Sequence, residues 1–181
     1  ISMTEGRDII QPEGGWPKVS VIIPAHNEQN LIARSVEGMR AQSYPNLHFI
    51  FVLDRCTDRT EAVLREVIAE DSRFSVKSIS ECPDDWAGKC NAAHTGARMA
   101  IESGTDFLLF TDADVLFDPD LVRSSVALSI RENADLLSAL TTLTSSSWEE
   151  IVVQPVASLN LVRMHPTDVV NRVVNPRAFA N

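Results

Sequence analysis

Two carboxylates one residue apart, Asp112 and Asp114, directly follow the most apolar run of the chain, Phe107-Leu108-Leu109-Phe110. Charges this close repel unless something neutralises them. A hard divalent cation, Mg2+ or Mn2+, does so with oxygen ligands and usually keeps coordination places open for phosphate oxygens. Taken alone, the triplet Asp112-Ala113-Asp114 reads as readily as a solvated turn whose acids cap a helix. Its company changes the reading. Pro24-Ala25-His26-Asn27-Glu28, Asp54-Arg55-Cys56-Thr57-Asp58-Arg59-Thr60 and Gly88-Lys89-Cys90-Asn91-Ala92-Ala93-His94-Thr95-Gly96 are further clusters of polar and small residues. Each adjoins a segment that reads as regular structure.

Those segments alternate. Val19–Ile23 is a short β-branched run ended by Pro24, the mark of a buried strand. Asn27 is placed to cap the helix that follows, whose stripe is Leu31, Ile32, Ser35, Val36 and Met39. Leu47–Leu53 reads as a second strand, and Thr60–Ile68 as a helix burying Ala62, Val63, Val67 and Ile68. Phe74–Ile79 reads as a third strand, Lys89–Ile101 as a helix of small residues and Phe107–Phe110 as a fourth strand. A helix opens at Pro119, and Leu136–Leu140 reads as a fifth strand. Strand–helix alternation implies parallel strands with crossover helices on both faces, an α/β doubly wound, mostly parallel sheet. Ligands of such sheets bind beyond the carboxyl ends of the strands. Ala25–Glu28, Asp54–Asp58 and Asp112–Asp114 all fall there.

Composition narrows the partners. Sixteen basic residues against twenty-five acidic give a formal net charge of -9, which argues against a nucleic-acid surface. It fits solubility, or a site that needs a cation before it can hold a pyrophosphate. Cys56, Cys82 and Cys90 are odd in number and without CxxC spacing, so they suggest neither disulfides nor zinc, and a reduced, cytoplasmic setting fits best. No stretch is long and apolar enough to span a bilayer. Residues 1–17 read as an irregular lead-in and 18–145 as one binding subdomain. Residues 146–181 read as the incomplete start of an acceptor-side or membrane-proximal region. Within it, Trp148 to Met164 reads as a Pro155-kinked core helix, or as an amphipathic face for a membrane or a further subdomain.

In order, these clusters resemble the pattern of family-2 glycosyltransferases of the GT-A (Rossmann-like) fold: PxxNE, then D-G-S-T-D-x-T, then G-K-x-x-A-x-x-G, then D-A-D. The resemblance covers Val19 to about Leu121. It implies donor-binding roles for Pro24, Ala25, Glu28, Asp54, Lys89, Asp112 and Ala113. Ala25 and Glu28 would line the base and ribose pocket, Asp54 would accept a hydrogen bond from the base edge, and Lys89 would lie near the pyrophosphate. Asp114, with Asp112, would hold the Mg2+ or Mn2+. The implied partner is a nucleotide-diphosphate sugar, UDP-sugar favoured. Arg55 departs from the pattern, standing where Gly is usual, and Cys56 stands where Ser is usual. The stretch Trp86–Ala92 looks most like the hopanoid, carotenoid and ceramide branch, whose acceptors are lipid-like and membrane-borne.

The implied reaction is an inverting transfer to an acceptor hydroxyl deprotonated by a general base. In the family the base is an Asp of an E-D or D-D pair. No such pair follows Asp114: Glu149 and Glu150 are neighbours that point apart on a helix, and Asp168 stands alone. The base is therefore expected beyond Asn181, and this chain is expected to bind donor but to transfer poorly. Full-length, the protein is expected in the cytoplasm, at the cytoplasmic face of a membrane. Two alternatives stand beside this reading. One is a haloacid-dehalogenase-type phosphatase in which Asp112 attacks phosphorus and Asp114 serves as acid and base. The other is a non-catalytic nucleotide-sugar-binding module.

Overall fold

The computed structural model describes residues 15–139. The chain divides into two compact units, Ile1–Leu128 and Ser129–Asn181. The sheet and its pocket belong to the first. Four strands, β1 (Val19–Ala25), β2 (Leu47–Asp54), β3 (Phe74–Ile79) and β4 (Phe107–Phe110), form one sheet in the order β3-β2-β1-β4, every pair parallel. Four helices follow the strands in turn: α1 (Ile32–Arg40), α2 (Thr60–Ile68), α3 (Gly88–Glu102) and α4 (Leu121–Glu132).

Period-two alternation divides the strand side chains between two faces. Val21, Ile23, Phe49 and Phe51 pack with Ile32, Val36 and Met39 of α1, Leu64 of α2, and Val122 and Val126 of α4. Ile22, Ile50 and Val52 point the other way, onto Ala92 and Ala100 of α3. The small residues of α3 let it lie close: a Cβ on Gly96 would stand 2.6 Å from Cγ2 of Ile22. The expected doubly wound α/β sheet is therefore present, with helices on both faces. Its strand order reverses between β1 and β4, the place where such sheets open a crevice.

Several local expectations are corrected. Asn27 does not cap α1, which begins at Ile32 with Leu31 before it and no side-chain cap. Asn27 instead takes a left-handed backbone (φ 57°) and turns its amide toward the next loop. Leu31 is exposed, while the rest of the predicted α1 stripe is buried. In α2 the buried residues are Thr60, Leu64 and Ile68, with Ala62 outside and Val63 and Val67 half-buried. Among the described residues the apolar β4 is an edge strand, and α3 lies mainly over β1 and β2, so Leu108 and Phe110 stay exposed. Of the predicted fifth strand, residues 136–139 form no strand, and Leu140 lies outside the described residues.

Candidate functional site

Three strand ends build the site. β1 ends at Ala25 and passes directly into His26, Asn27 and Glu28. β2 ends on Asp54 itself. β4 ends at Phe110 and delivers Asp112–Asp114 two residues later. The start of α3 brings Lys89 to the same rim. One open pocket is lined by Pro24, Ala25, Glu28, Asp54, Lys89, Asp112, Ala113 and Asp114, together with His26. Every residue the sequence nominated for the donor or the metal thus lies around one hollow at the switch point of the sheet.

The Asp112–Asp114 loop is anchored from below. Ala113 is buried, and its carbonyl accepts a 2.6 Å hydrogen bond from the Ser35 hydroxyl of α1. Pinning the middle residue leaves the flanking carboxylates at the pocket. Lys89 Nζ stands 2.5 Å from Asp112 Oδ1, with both side chains more than half exposed. Glu28 feels the remaining negative charge. Partial burial, and then the nearby Asp114, Asp58 and Asp112, raise its pKa above the ordinary carboxylate value. Oxygen donors under such mutual repulsion suit a hard cation. Among the described residues no three His, Cys, Asp or Glu side chains form a ready cation cage. Mg2+ needs none where one or two carboxylates and substrate phosphates share it.

The loops after β1 and β2 are laced together. Asn27 Oδ1 accepts from the backbone N–H of Thr57 (2.9 Å) and of Asp58 (3.3 Å). The Glu28 N–H donates to Thr60 Oγ1 at 2.7 Å, and the Thr60 hydroxyl donates to Asp58 Oδ1. His26 Nδ1 lies 2.6 Å from the Asp54 carbonyl, which can only accept, so Nδ1 carries the hydrogen. His26 is also a lining residue of the pocket. His94 is not among the residues lining the pocket and packs on Trp86, ring centroids 5.0 Å apart. Cys56 is a half-buried filler whose thiol donates to the Ala25 carbonyl at 3.6 Å and whose pKa burial pushes up.

Asp54 was legible in the sequence, but its partner was not. Both of its oxygens accept from the Arg55 guanidinium, Nε to Oδ1 and Nη2 to Oδ2, each at 2.8 Å. Those bonds hold the Asp54 carboxyl below the ordinary carboxylate range. A signal existed in Arg55 replacing a usual Gly, but the fork depends on its backbone at φ 47°, which sequence does not give. Glu149, Glu150, Asp168 and the stretch from Trp148 to Met164 lie outside the described residues.

The sequence model of glycosyl transferase family 2 matches residues 20–168. Among curated proteins, the chain is 37% identical over 100 residues to the probable glycosyltransferase YdaM of Bacillus subtilis, across 54% of this chain and 23% of that protein. It is 32% identical over 97 residues to the 4,4'-diaponeurosporenoate glycosyltransferase of Staphylococcus haemolyticus, across 54% of this chain and 24% of that protein. The chain thus spans about a quarter of the length of these relatives. Among solved structures, the mannosyltransferase PcManGT of Pyrobaculum calidifontis, in complex with GDP-Man and Mn2+, superposes with a TM-score of 0.51 at 23% identity, covering 70% of this chain and 37% of that one. S. aureus TarS 1-349 in complex with UDP-GlcNAc superposes with a TM-score of 0.57 at 18% identity, covering 72% and 37%. These structural likenesses bear on the fold, which is GT-A. With a matching family model along most of its length and the family's clusters gathered at one switch-point pocket, the chain belongs to glycosyl transferase family 2.

Proposed function

We propose that the pocket binds a nucleotide-diphosphate sugar, UDP-sugar favoured, with Mg2+ or Mn2+, and serves an inverting transfer of the sugar to an acceptor hydroxyl. The observation that carries this reading is the meeting of Glu28, Asp54, Lys89, Asp112 and Asp114 around one hollow at the carboxyl ends of β1, β2 and β4. Pro24, Ala25 and Glu28 form the wall for base and ribose, and Asp54 reads the base edge. Lys89 balances charge on the departing diphosphate. Asp114, with Asp112, holds the cation, which when bound screens the diphosphate oxygens and eases their departure. The acceptor's proton goes to an acceptor-side carboxylate outside the described residues.

Relatives support the coarser parts. A neighbour of the same fold was solved with GDP-Man and Mn2+ and another with UDP-GlcNAc, so a nucleotide sugar and a divalent ion are natural ligands to test here. The diaponeurosporenoate relative supports a lipid-like acceptor. We extend the reading to a donor subdomain over 18–145, with an acceptor-side region from 146 onward, at the cytoplasmic face of a membrane. No helix among the described residues is long and apolar enough to cross one.

Calorimetry with UDP and GDP, in Mn2+, Mg2+ or EDTA, tests the donor site. Metal-dependent UDP binding is expected, weakened at least about tenfold in Asp114→Ala. A folded wild-type chain that binds neither nucleotide would overturn the reading. Sugar transfer by the chain with its natural flanking sequence separates an enzyme from a non-catalytic binding module.

A further inference from the structure

Asp54 is the buried carboxylate of the pocket, 5% exposed, yet it is not a bare acceptor. The Arg55 guanidinium forks onto both of its oxygens. A second wall closes one side. Gly88, at the start of α3, comes so near that a Cβ there would stand 2.3 Å from Asp54 Oδ2 and 2.4 Å from Arg55 Nη2. Each oxygen takes one N–H of the fork, and Gly88 crowds Oδ2 besides, so Oδ1 is the less crowded of the two. The arginine is held in place. Its N–H donates to the Ile79 carbonyl at the end of β3 at 2.9 Å, and its backbone sits at φ 47°, a conformation that costs an arginine and not a glycine. A strained residue at a binding wall points to a functional gain that offsets the strain.

We propose that Arg55 is a specificity-determining residue, which tunes the donor pocket to an imide base edge, that of uracil, and against the guanine edge. The inference rests on the donor-site reading above. Guanine offers two parallel N–H donors, from N1 and the exocyclic N2, and pairs best with a carboxylate whose two oxygens are both free. Arg55 already fills that fork with the same donor pattern. Uracil offers one N–H, at N3, flanked by carbonyls. One N–H needs one oxygen, and Oδ1 can supply it. The pair as it stands presents one acceptor, enough for the uracil N–H, and leaves one guanine donor unpaired.

The test is the ratio of GDP to UDP dissociation constants, measured calorimetrically with Mn2+ on wild type, Arg55→Gly and Arg55→Lys, with folding checked by circular dichroism. Glycine suits the left-handed backbone and removes the fork, and lysine keeps the charge without the fork. Wild type is expected to prefer UDP, and the preference is expected to shrink about tenfold in both variants, chiefly by tighter GDP binding. In nucleotide-free protein, the carbon-13 carboxyl titration of Asp54 is expected to move upward in Arg55→Gly. A ratio unchanged in both variants while both nucleotides still bind would overturn the role of Arg55 and leave the donor site standing. So would a wild type that prefers GDP. Binding of neither nucleotide by folded wild type would remove the donor site, and this inference with it.

Discussion

Asn27 sits between two loops and has two jobs that one side chain rarely combines. Its backbone adopts the left-handed region, and its Oδ1 accepts from two successive backbone N–H groups ahead of α2. Asparagine tolerates that backbone better than other non-glycine residues, and its short amide supplies the acceptor. Asn27→Ala should lose the acceptor and add left-handed strain, about 1 kcal/mol from each, for a total of about 2 kcal/mol. Asn27→Gly should lose only the acceptor and cost about half as much. Urea denaturation of the two variants checks this, and equal costs would mean that the backbone conformation contributes nothing. At this scale the sequence was readable where chemistry depends on residue type. Asp112 and Asp114 could be named from their charge and spacing, and Lys89, Glu28 and Asp54 from the family pattern that their clusters resemble. Asn27 and Arg55 could be named but not understood. Their roles depend on a positive φ and on a neighbour from another strand, and neither is written in local spacing.

Helix α3 shows how an element sets the depth of the site. Ala92, Gly96 and Ala100 recur every fourth residue and form a buried stripe, so the helix axis lies close to β1 and β2. The same closeness brings Gly88 and Lys89 to the ends of those strands. A Cβ at Gly96 would stand 2.6 Å from Ile22 Cγ2 and 3.1 Å from Val52 Cγ2. Gly96→Ala must therefore lift the helix or force the two side chains off their rotamers. It should destabilise by about 1–3 kcal/mol despite alanine's better helix propensity. Because Lys89 rides on the first turn of α3, nucleotide affinity should fall as well. Chemical denaturation together with calorimetry measures both, and a stabilised variant would show that the stripe is loosely packed. Four strands and two helices were readable from their apolar patterns, α3 from its small residues and α4 from Pro119 before it. The buried side of α2 was misread, since Leu64 at its centre is flanked by candidates of equal hydrophobicity and only the position of the sheet decides. How far β4 is covered was not legible either: an apolar run does not say whether a helix will lie over it.

Across the whole molecule, acid groups outnumber basic ones, and several carboxylates are tied down. Asp71 accepts from Arg73 and lies 3.5 Å from Arg40 Nε, so it links the end of α1 to the turn before β3. The hydrogen bonds from Arg73, helped by the charge of Arg40, pull its pKa from 3.8 to about 2. The folded value lies below the unfolded one. The stability this provides is therefore complete above the unfolded pKa and is lost as pH falls through the folded one. Thermal melts should show the melting temperature dropping between about pH 4 and pH 2, and the drop should be shallower in Asp71→Asn. An identical acid limb in that variant would assign the loss to other carboxylates. The alternation of strands and helices announced a parallel sheet before any coordinate. The order β3-β2-β1-β4, and with it the crevice between β1 and β4, comes from which strands pair, and pairing is a long-range choice. That crevice is rimmed by side chains that the core does not need. Lys89 and Asp112 are 69% and 53% exposed, above a closed layer of valine, isoleucine and phenylalanine. Rim residues can drift singly over generations while the scaffold stays folded, so descendants of such a chain can try new donors without passing through unfolded ancestors. Asp54 is the exception. It is buried against its neighbour, so a change at Asp54 disturbs the pocket wall, whereas Arg55 stands where the family pattern has Gly and can change while the Asp stays.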